Sequence, residues 1–177
     1  MQEIQNTKVA IMATDGFEEI ELSLPQDKLI ESGIIVHIVS DKPILKSWDK
    51  KQWYKDFKVD HLIGEANAKN YAMLLLPGGV LNADKLRRNS KAVEWIKEFK
   101  KQDKFIAAIC HGPQLLIEAD LVKGKKVTSH YAIKTDMINA GAAYSDKKVI
   151  RHDKFITAQG AEDTEEFTKE IISALKS

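Results

Sequence analysis

Three short runs of consecutive apolar residues constrain the fold of this 177-residue chain more than any other feature. They cover 8–13, 71–76 and 105–109, and each stops abruptly at a turn that contains glycine. Strands without polar alternation are typical of parallel sheets, because both faces of such sheets are covered by helices. The alternation of strands and helices along the chain therefore predicts an α/β three-layer sandwich of the flavodoxin-like type, with a mostly parallel central sheet.

The remaining pattern predicts one domain over 1–177, in which 1–7 are flexible and 41–60 form a surface hairpin. The hairpin aromatics are Trp48, Trp53, Tyr54 and Phe57. They suit a satellite core, a subunit interface or a pocket wall, and plain packing is favoured. Asp163 and Glu166 predict a capping box at the last helix. Further helices are expected over 18–32, 90–102, 133–139 and 163–175 and around Leu115, and further strands over 34–39, 126–129, 142–150 and 154–157, the last two antiparallel.

Charge and hydropathy exclude several classes of partner. The chain is 44% hydrophobic and 30% charged with a net charge of +1, which is the balance of a soluble globular protein. No field of one sign favours nucleic acid, and the lysine-rich stretch 97–104 is interrupted by acids, as on a solvated helix face. No apolar run approaches the roughly 18 residues of a membrane span. Residues 1–8 lack a signal-peptide core, so a cytoplasmic location is expected.

The single cysteine, Cys110, excludes an intramolecular disulfide and a multi-cysteine metal site. The five histidines form no HExxH motif, so no metal and no cofactor are predicted. Cys110 follows a buried strand and precedes a helix, which is the strand–turn–helix context of a nucleophile elbow, with Ala108 in place of the first glycine. A helix N-terminus favours thiolate over thiol. A lone cysteine after an apolar strand is more often a core residue, but the loops at the same edge favour a nucleophile.

Two other loops are expected at that edge of the sheet, where ligands of such folds bind. Gly78 and Gly79 follow the strand 71–76 and can present backbone N–H groups to an oxyanion, although an ordinary tight turn is the alternative. Glu18 and Glu21 follow the first strand and share a helix face. A carboxyl beside the thiol can move protons if burial raises its pKa, but acidity at a helix N-terminus explains these residues equally well.

Together these motifs resemble the ThiJ/PfpI family, the superfamily of the parkinsonism-associated deglycase and of PfpI-like intracellular proteases. The resemblance spans nearly the whole chain. The matching segments are DGFEEIEL at 15–22 with Pro25, LLPGG at 75–79, AAICHGPQ at 107–114, KGK at 123–125, VTSH at 127–130 and DMINAG at 136–141.

The resemblance implies that Cys110 is the reactive nucleophile and that Glu21 hydrogen-bonds it, with Glu18 as a second acidic pocket residue. His111 corresponds to the histidine of the protease-like branch, whose triad is completed by an acid from a neighbouring subunit.

For that acid the candidate in this chain is Asp84. His130 matches the histidine of the deglycase branch, so either His111 or His130 can assist the cysteine. The resemblance also implies a homodimer or a higher homo-oligomer.

Three functions follow as hypotheses. The first is a cofactor-independent, stress-protective enzyme of the glyoxalase III or deglycase type, in which the Cys110 thiolate attacks a small aldehyde or a glycated protein. The second is a cysteine peptidase or amidase that uses Cys110, His111 and Asp84. The third is a redox sensor without catalysis, in which Cys110 oxidises to a sulfinate beside a protonated Glu21.

Overall fold

The computed structural model describes residues 5–177 of the chain. The predicted flexibility of 1–7 falls partly on 1–4, which lie outside the described residues. Asn6 donates a backbone hydrogen bond to Gly33 O over 3.2 Å, and Thr7 O accepts one from Ile35 over 2.9 Å. The start of the described chain is therefore tied to the entry of the second strand.

Strands and helices alternate along the chain as expected. The strands are Lys8–Met12 (β1), Ile35–Ser40 (β2), Ile44–Asp49 (β3), Gln52–Lys58 (β4), His61–Leu62 (β5), Met73–Leu76 (β6), Phe105–Ile109 (β7), Lys126–Val127 (β8), Ala143–Tyr144 (β9), Val149–His152 (β10) and Phe155–Ala158 (β11). The α-helices are Glu19–Glu31 (α1), Val80–Arg87 (α2), Ser90–Lys101 (α3), Pro113–Glu118 (α4), Lys134–Asn139 (α5) and Thr164–Leu175 (α6), and short 3₁₀ turns lie at Ala68–Asn70, Tyr131–Ile133 and Ala161–Asp163.

The central sheet has the strand order β10-β11-β7-β6-β1-β2-β5. All neighbouring strands are parallel except β10 and β11, which pair antiparallel, so the predicted α/β fold with a mostly parallel sheet is confirmed. The prediction of one strand over 142–150 is wrong. The polar residues 145–148 separate β9, which pairs with β8 in its own small sheet, from β10 in the main sheet.

Both faces of the sheet are buried, which explains the continuous apolar runs. Met73 and Leu75 of β6 point into one core with α1 and α6, whereas Leu74 and Leu76 point into the other core with α3 and α4. Side chains alternate across a strand, so a strand between two cores needs apolar residues at every position. The helices on the two faces and the sheet between them are the three layers of the sandwich.

Residues 41–60 contain the antiparallel hairpin of β3 and β4, which lies outside the main sheet. Its Trp48 donates a backbone hydrogen bond to Phe17 O over 2.8 Å, and Phe57 packs edge-on against Phe17 at 5.1 Å between ring centroids. Trp53 and Tyr54 are exposed. The hairpin aromatics therefore divide between the core and the surface, next to the loop after β1.

Two local expectations fail. The helix α2 follows Gly79 directly, although its sequence shows no strong apolar stripe and no helix was expected there. The capping box of α6 does not form, because Asp163 occupies the N-cap position but its side chain makes no capping hydrogen bond. None of the helices between residues 5 and 177 is long and apolar enough to cross a membrane.

Candidate active site

The candidate active site lies where three adjacent strands reach their carboxyl ends. β1, β6 and β7 are neighbours in the sheet, so the loops that follow them meet at one edge. This edge brings together the residues predicted from all three loops, namely Glu18 and Glu21, Gly78 and Gly79, and Cys110 and His111.

Cys110 stands on a sharp turn between β7 and α4. Its φ of 60° lies in the left-handed region, which costs a non-glycine residue about 1–2 kcal/mol. Its backbone N–H donates to Ala158 O over 3.0 Å, and its carbonyl accepts from His130 N over 2.9 Å. A Cβ at Gly112 would lie 2.4 Å from Leu76 O, so the turn needs glycine there. The strained conformation of a nucleophile elbow is thus held from several sides.

His111 makes the side-chain contact that a nucleophilic thiol needs. Its Nδ1 lies 3.3 Å from Cys110 Sγ. Burial, reinforced by the neighbouring His130, lowers the pKa of His111 to about 4, so its ring is neutral at pH 7. A neutral ring can accept a hydrogen bond from the thiol through Nδ1 in the tautomer that carries its proton on Nε2.

The second histidine of the site, His130, packs against His111. Its ring stacks on the His111 ring at 4.6 Å between centroids, and its Nδ1 accepts the Ala132 N–H over 3.2 Å. Within the described residues, His111 is therefore the histidine whose ring contacts Cys110 Sγ, and His130 packs against His111.

Glu21 provides a buried acid beside the sulfur. Its Oε2 accepts the Gly78 N–H over 2.7 Å, while Oε1 is buried and unpartnered within the described residues. Burial, with a contribution from the charge of Glu18, raises the pKa of Glu21 to about 8. The carboxyl is therefore protonated at neutral pH and lies within hydrogen-bond reach of the Cys110 sulfur.

Glu18 is half-buried at the N-cap position of α1. Burial and then the charges of Asp49 and Glu19 raise its pKa. It lies in the same loop as Glu21, as expected, and acts on Glu21 through its charge.

Backbone donors complete the surroundings of the sulfur. Burial and the nearby Glu21 charge raise the pKa of the Cys110 thiol, whereas N–H groups of Gly79 and His111 aimed at the sulfur oppose that rise. The thiol is therefore the favoured form of free Cys110, and the expectation that the helix N-terminus favours the thiolate is wrong, because burial outweighs it. These donors and the Glu21 carboxyl surround the sulfur. The Gly78 N–H is occupied by Glu21, so the prediction that Gly78 offers a free donor to an oxyanion is wrong.

Asn82, which the sequence did not single out, joins two of the loops. The Thr14 N–H donates to its Oδ1 over 2.7 Å, and its Nδ2 donates to Pro77 O and Gly78 O over 3.0 and 2.9 Å. The one sequence signal that could have identified Asn82 is its position three residues after a Gly-Gly pair; the structure shows that it is buried.

Asp84 does not belong to this group within one chain. It lies on the exposed face of α2, and within residues 5–177 it forms neither a hydrogen bond nor an ion pair with His111. The described residues also contain no group of three or more histidine, cysteine, aspartate or glutamate side chains placed to hold a metal ion.

Glu21→Gln should change the pH dependence of stability. Between the unfolded pKa near 4.3 and the folded pKa of about 8, the native protein binds more protons than the unfolded chain, so its stability falls as pH rises through this window. Glutamine stays neutral, so from pH 5 to pH 8 the variant should gain a few kcal/mol relative to the native protein in urea unfolding. Glu65→Gln, which removes an exposed carboxyl, should show no such gain. If the free energy of unfolding depends on pH equally in the two variants, Glu21 is not a buried, protonated acid.

Comparison with known proteins places this site in a family. The DJ-1/PfpI family profile matches residues 7–174. A putative cysteine protease, YraA of Bacillus subtilis, is 38% identical over 96% of this chain and 98% of its own length. Deglycase PfpI of Pyrococcus furiosus is 35% identical over 96% of this chain and 99% of its own.

The fold is shared with solved structures. A two-domain protein from Anabaena variabilis with DJ-1/ThiJ/PfpI-like and ferritin-like domains matches with a TM-score of 0.91 and 36% identity, over 97% of this chain and 48% of that protein. The predicted resemblance is confirmed, and the chain belongs to the DJ-1/PfpI family.

Proposed function

We propose that the protein is a cysteine-dependent enzyme that acts on reactive carbonyl groups, of the deglycase or glyoxalase III type. The observation that carries the proposal is the position of Cys110 between a neutral histidine at 3.3 Å and a buried carboxyl that is protonated at neutral pH. A nucleophile with one base and one acid suits addition to an aldehyde, because the carbonyl oxygen must gain a proton as the sulfur attacks.

With methylglyoxal, Cys110 Sγ bonds to the aldehyde carbon as His111 Nδ1 takes the thiol proton. The N–H groups of Gly79 and His111 are the nearest donors for the developing oxyanion. Glu21 donates its proton to that oxygen, which gives a hemithioacetal. The Glu21 carboxylate then removes the proton from C1 while the protonated His111 gives its proton to the C2 oxygen, which makes an enediol. Glu21 returns its proton to C2 and His111 takes the proton of the C1 hydroxyl, which makes a lactoyl thioester. Water cleaves this thioester to lactate, a proton and the free thiol. One methylglyoxal and one water therefore give one lactate.

A glycated side chain would reach the same hemithioacetal by displacement. Cys110 Sγ bonds to the adduct carbon, the bond from that carbon to the amine or thiol breaks, and the leaving group takes a proton from Glu21 while His111 takes the thiol proton. The names of relatives as deglycases support this version, at the level of the family.

A cysteine peptidase is the second candidate. The contact between Cys110 and His111 and the name of a relative as a putative cysteine protease favour it. Within one chain, however, no carboxylate of the described residues accepts a hydrogen bond from His111, and Asp84 could supply one only from another copy.

A panel of substrates separates the candidates. The purified protein would be tested for lactate formation from methylglyoxal without glutathione, for repair of methylglyoxal-treated Nα-acetylarginine, and for cleavage of fluorogenic peptides. We expect turnover in the first two assays. Peptide cleavage alone would replace our proposal with the peptidase. Absence of all turnover, with selective oxidation of Cys110 by peroxide, would replace it with the redox sensor.

We also propose a homodimer or higher oligomer in the cytoplasm, where a free thiol stays reduced. Exposed apolar side chains at the edge of the site, Trp53, Val80 and Leu81, support contact with a second copy. Trp53→Glu should lower the sedimentation coefficient toward that of a monomer. Ile138→Glu, a similarly exposed position on α5, should not; the same coefficient for native protein and both variants would contradict a contact at the site edge.

A further inference from the structure

Asn82 is fully buried next to the active-site loops, and its side chain makes three hydrogen bonds, all of them to backbone groups. It lies in the first turn of α2, where side chains point back toward the start of the helix. Its Oδ1 accepts the Thr14 N–H, and its Nδ2 donates to two carbonyls. An N–H can only donate and a carbonyl can only accept, so these partners determine the orientation of the carboxamide.

The two carbonyls belong to successive peptide units of the loop after β6. Nδ2 donates to Pro77 O over 3.0 Å and to Gly78 O over 2.9 Å. Both peptide bonds are trans, and in a planar trans peptide the C=O and the N–H point in opposite directions. Pro77 O shares its peptide unit with the Gly78 N–H, and Gly78 O shares its unit with the Gly79 N–H. By holding the two carbonyls, Asn82 therefore fixes the direction of the two N–H groups opposite them.

These two N–H groups face the two side chains that react. The Gly78 N–H donates to Glu21 Oε2 over 2.7 Å, and the Gly79 N–H is aimed at the Cys110 sulfur. The loop lies directly against both side chains, because a Cβ at Gly78 would be 2.6 Å from Cys110 Cβ and 2.6 Å from Glu21 Oε2. A hydrogen bond to a carbonyl also polarises the N–H of the same peptide, which makes that N–H a stronger donor.

We propose that Asn82 is a positioning residue, whose carboxamide nitrogen aims one peptide N–H at the Glu21 carboxyl and the next at the Cys110 sulfur. Within the described residues it makes no hydrogen bond with either side chain, so it acts on them through the loop. Packing alone does not require asparagine, because leucine has a similar size and shape. The effect of Asn82 on turnover rests on the proposed function, but its effect on the thiol does not.

Alkylation of Cys110 by iodoacetamide at pH 7 tests the proposal without any turnover. Only the thiolate reacts, and the Gly79 N–H stabilises the thiolate. In Asn82→Leu we expect the second-order rate constant to fall about fivefold. Loss of a hydrogen bond to an ionised group lowers the thiolate fraction about tenfold or more, and the higher nucleophilicity of the remaining thiolate offsets part of this. A folded variant that reacts as fast as the native protein would overturn the proposal.

A spectroscopic signature reports on the two peptide units themselves. In the ¹⁵N-labelled protein, the amide proton signals of Gly78 and Gly79 should move upfield in Asn82→Leu, because their hydrogen bonds weaken. Signals that stay at their native positions would contradict the proposal. If Asn82→Leu does not fold, Asn82→Ala, which adds no bulk, decides by the same two measurements.

Asn89→Ala is the control for a general loss of stability. The Asn89 carboxamide caps α3 by accepting two backbone N–H groups of its first turn, so this variant is destabilised without any change at the loop after β6. It should alter neither the rate constant of alkylation nor the two glycine signals. The same changes in Asn89→Ala as in Asn82→Leu would mean that lost stability causes them, and would overturn the positioning role.

Turnover separates failure of this inference from failure of the proposed function. In Asn82→Leu, kcat for methylglyoxal should fall at least about tenfold while KM changes less than about threefold, because the Gly79 N–H stabilises charge that develops only in the transition state. A higher KM with an unchanged kcat would overturn the positioning role. If the native protein turns over no carbonyl substrate, the proposed function fails, and the alkylation rates and glycine signals still decide on Asn82.

Discussion

Cys110→Ala is expected to abolish turnover of carbonyl substrates, with a fall in kcat of at least about 1,000-fold. The proposed reaction passes through a covalent bond to Sγ, and no other cysteine exists in the chain to replace it. The measurement is lactate formation from methylglyoxal without glutathione, with native protein and variant at equal concentration. Residual activity within tenfold of native would remove Cys110 from the mechanism.

Two further variants show that such a loss is chemical. His111→Ala removes the proton acceptor but keeps the thiol, so kcat should fall by a smaller factor, about 100-fold. Cys110→Gly should be as inactive as Cys110→Ala but more stable than Cys110→Ala by about 1 kcal/mol, because glycine adopts a φ of 60° without strain. An equal loss of activity in two variants of different stability cannot come from misfolding.

Gly79→Ala is expected to destabilise the protein by about 3 kcal/mol or more, which is a fall in Tm of about 6–12 °C for a chain of this size. Its Cβ would lie 2.2 Å from Gly16 O and 2.8 Å from Phe17 Cα. Both obstacles are backbone atoms of the loop after β1, so they cannot move as a flexible side chain would. The φ of 87° at Gly79 adds strain of its own. Thermal unfolding followed by circular dichroism measures the change.

The control for that substitution is Gly124→Ala. Gly124 also has a positive φ, of 71°, but a Cβ there meets nothing within 4 Å. It should therefore cost only the backbone strain, about 1–2 kcal/mol. Equal losses of stability in the two variants would mean that close contact between the two active-site loops is not the reason why residue 79 must be glycine.

The parallel sheet could be predicted because its signal is local. A strand buried on both faces must be apolar throughout, so β1, β6 and β7 are visible as runs of letters, and the carboxyl edge follows from their order. Three site residues were identified for the same reason. Cys110 directly follows β7, Gly79 lies in the loop after β6, and Glu21 lies in the first turn of the helix that follows β1.

What could not be predicted depends on contacts between distant residues. The helix α2 has a weak apolar pattern, and its Asn82 is held by Thr14, which is 68 residues away. The use of Gly78 N–H by Glu21 links residues 57 apart. Asp163 was predicted to cap its own helix, but its side chain makes no capping hydrogen bond and its carboxyl lies 3.8 Å from Lys148 Nζ, fifteen residues earlier in the chain.

The hydrogen bonds that hold Cys110 have a consequence for the order of events during synthesis. The turn is completed by His130 and by Ala158 of β11, both of which leave the ribosome well after the cysteine. Contacts that join distant parts of a chain form late in folding, because closing a long loop costs entropy first. A nascent chain that ends before residue 158 should therefore carry an ordinary, unstrained thiol. The strained turn, and with it the position of Cys110 beside His111 and Glu21, would then form only after Ala158 has been synthesised.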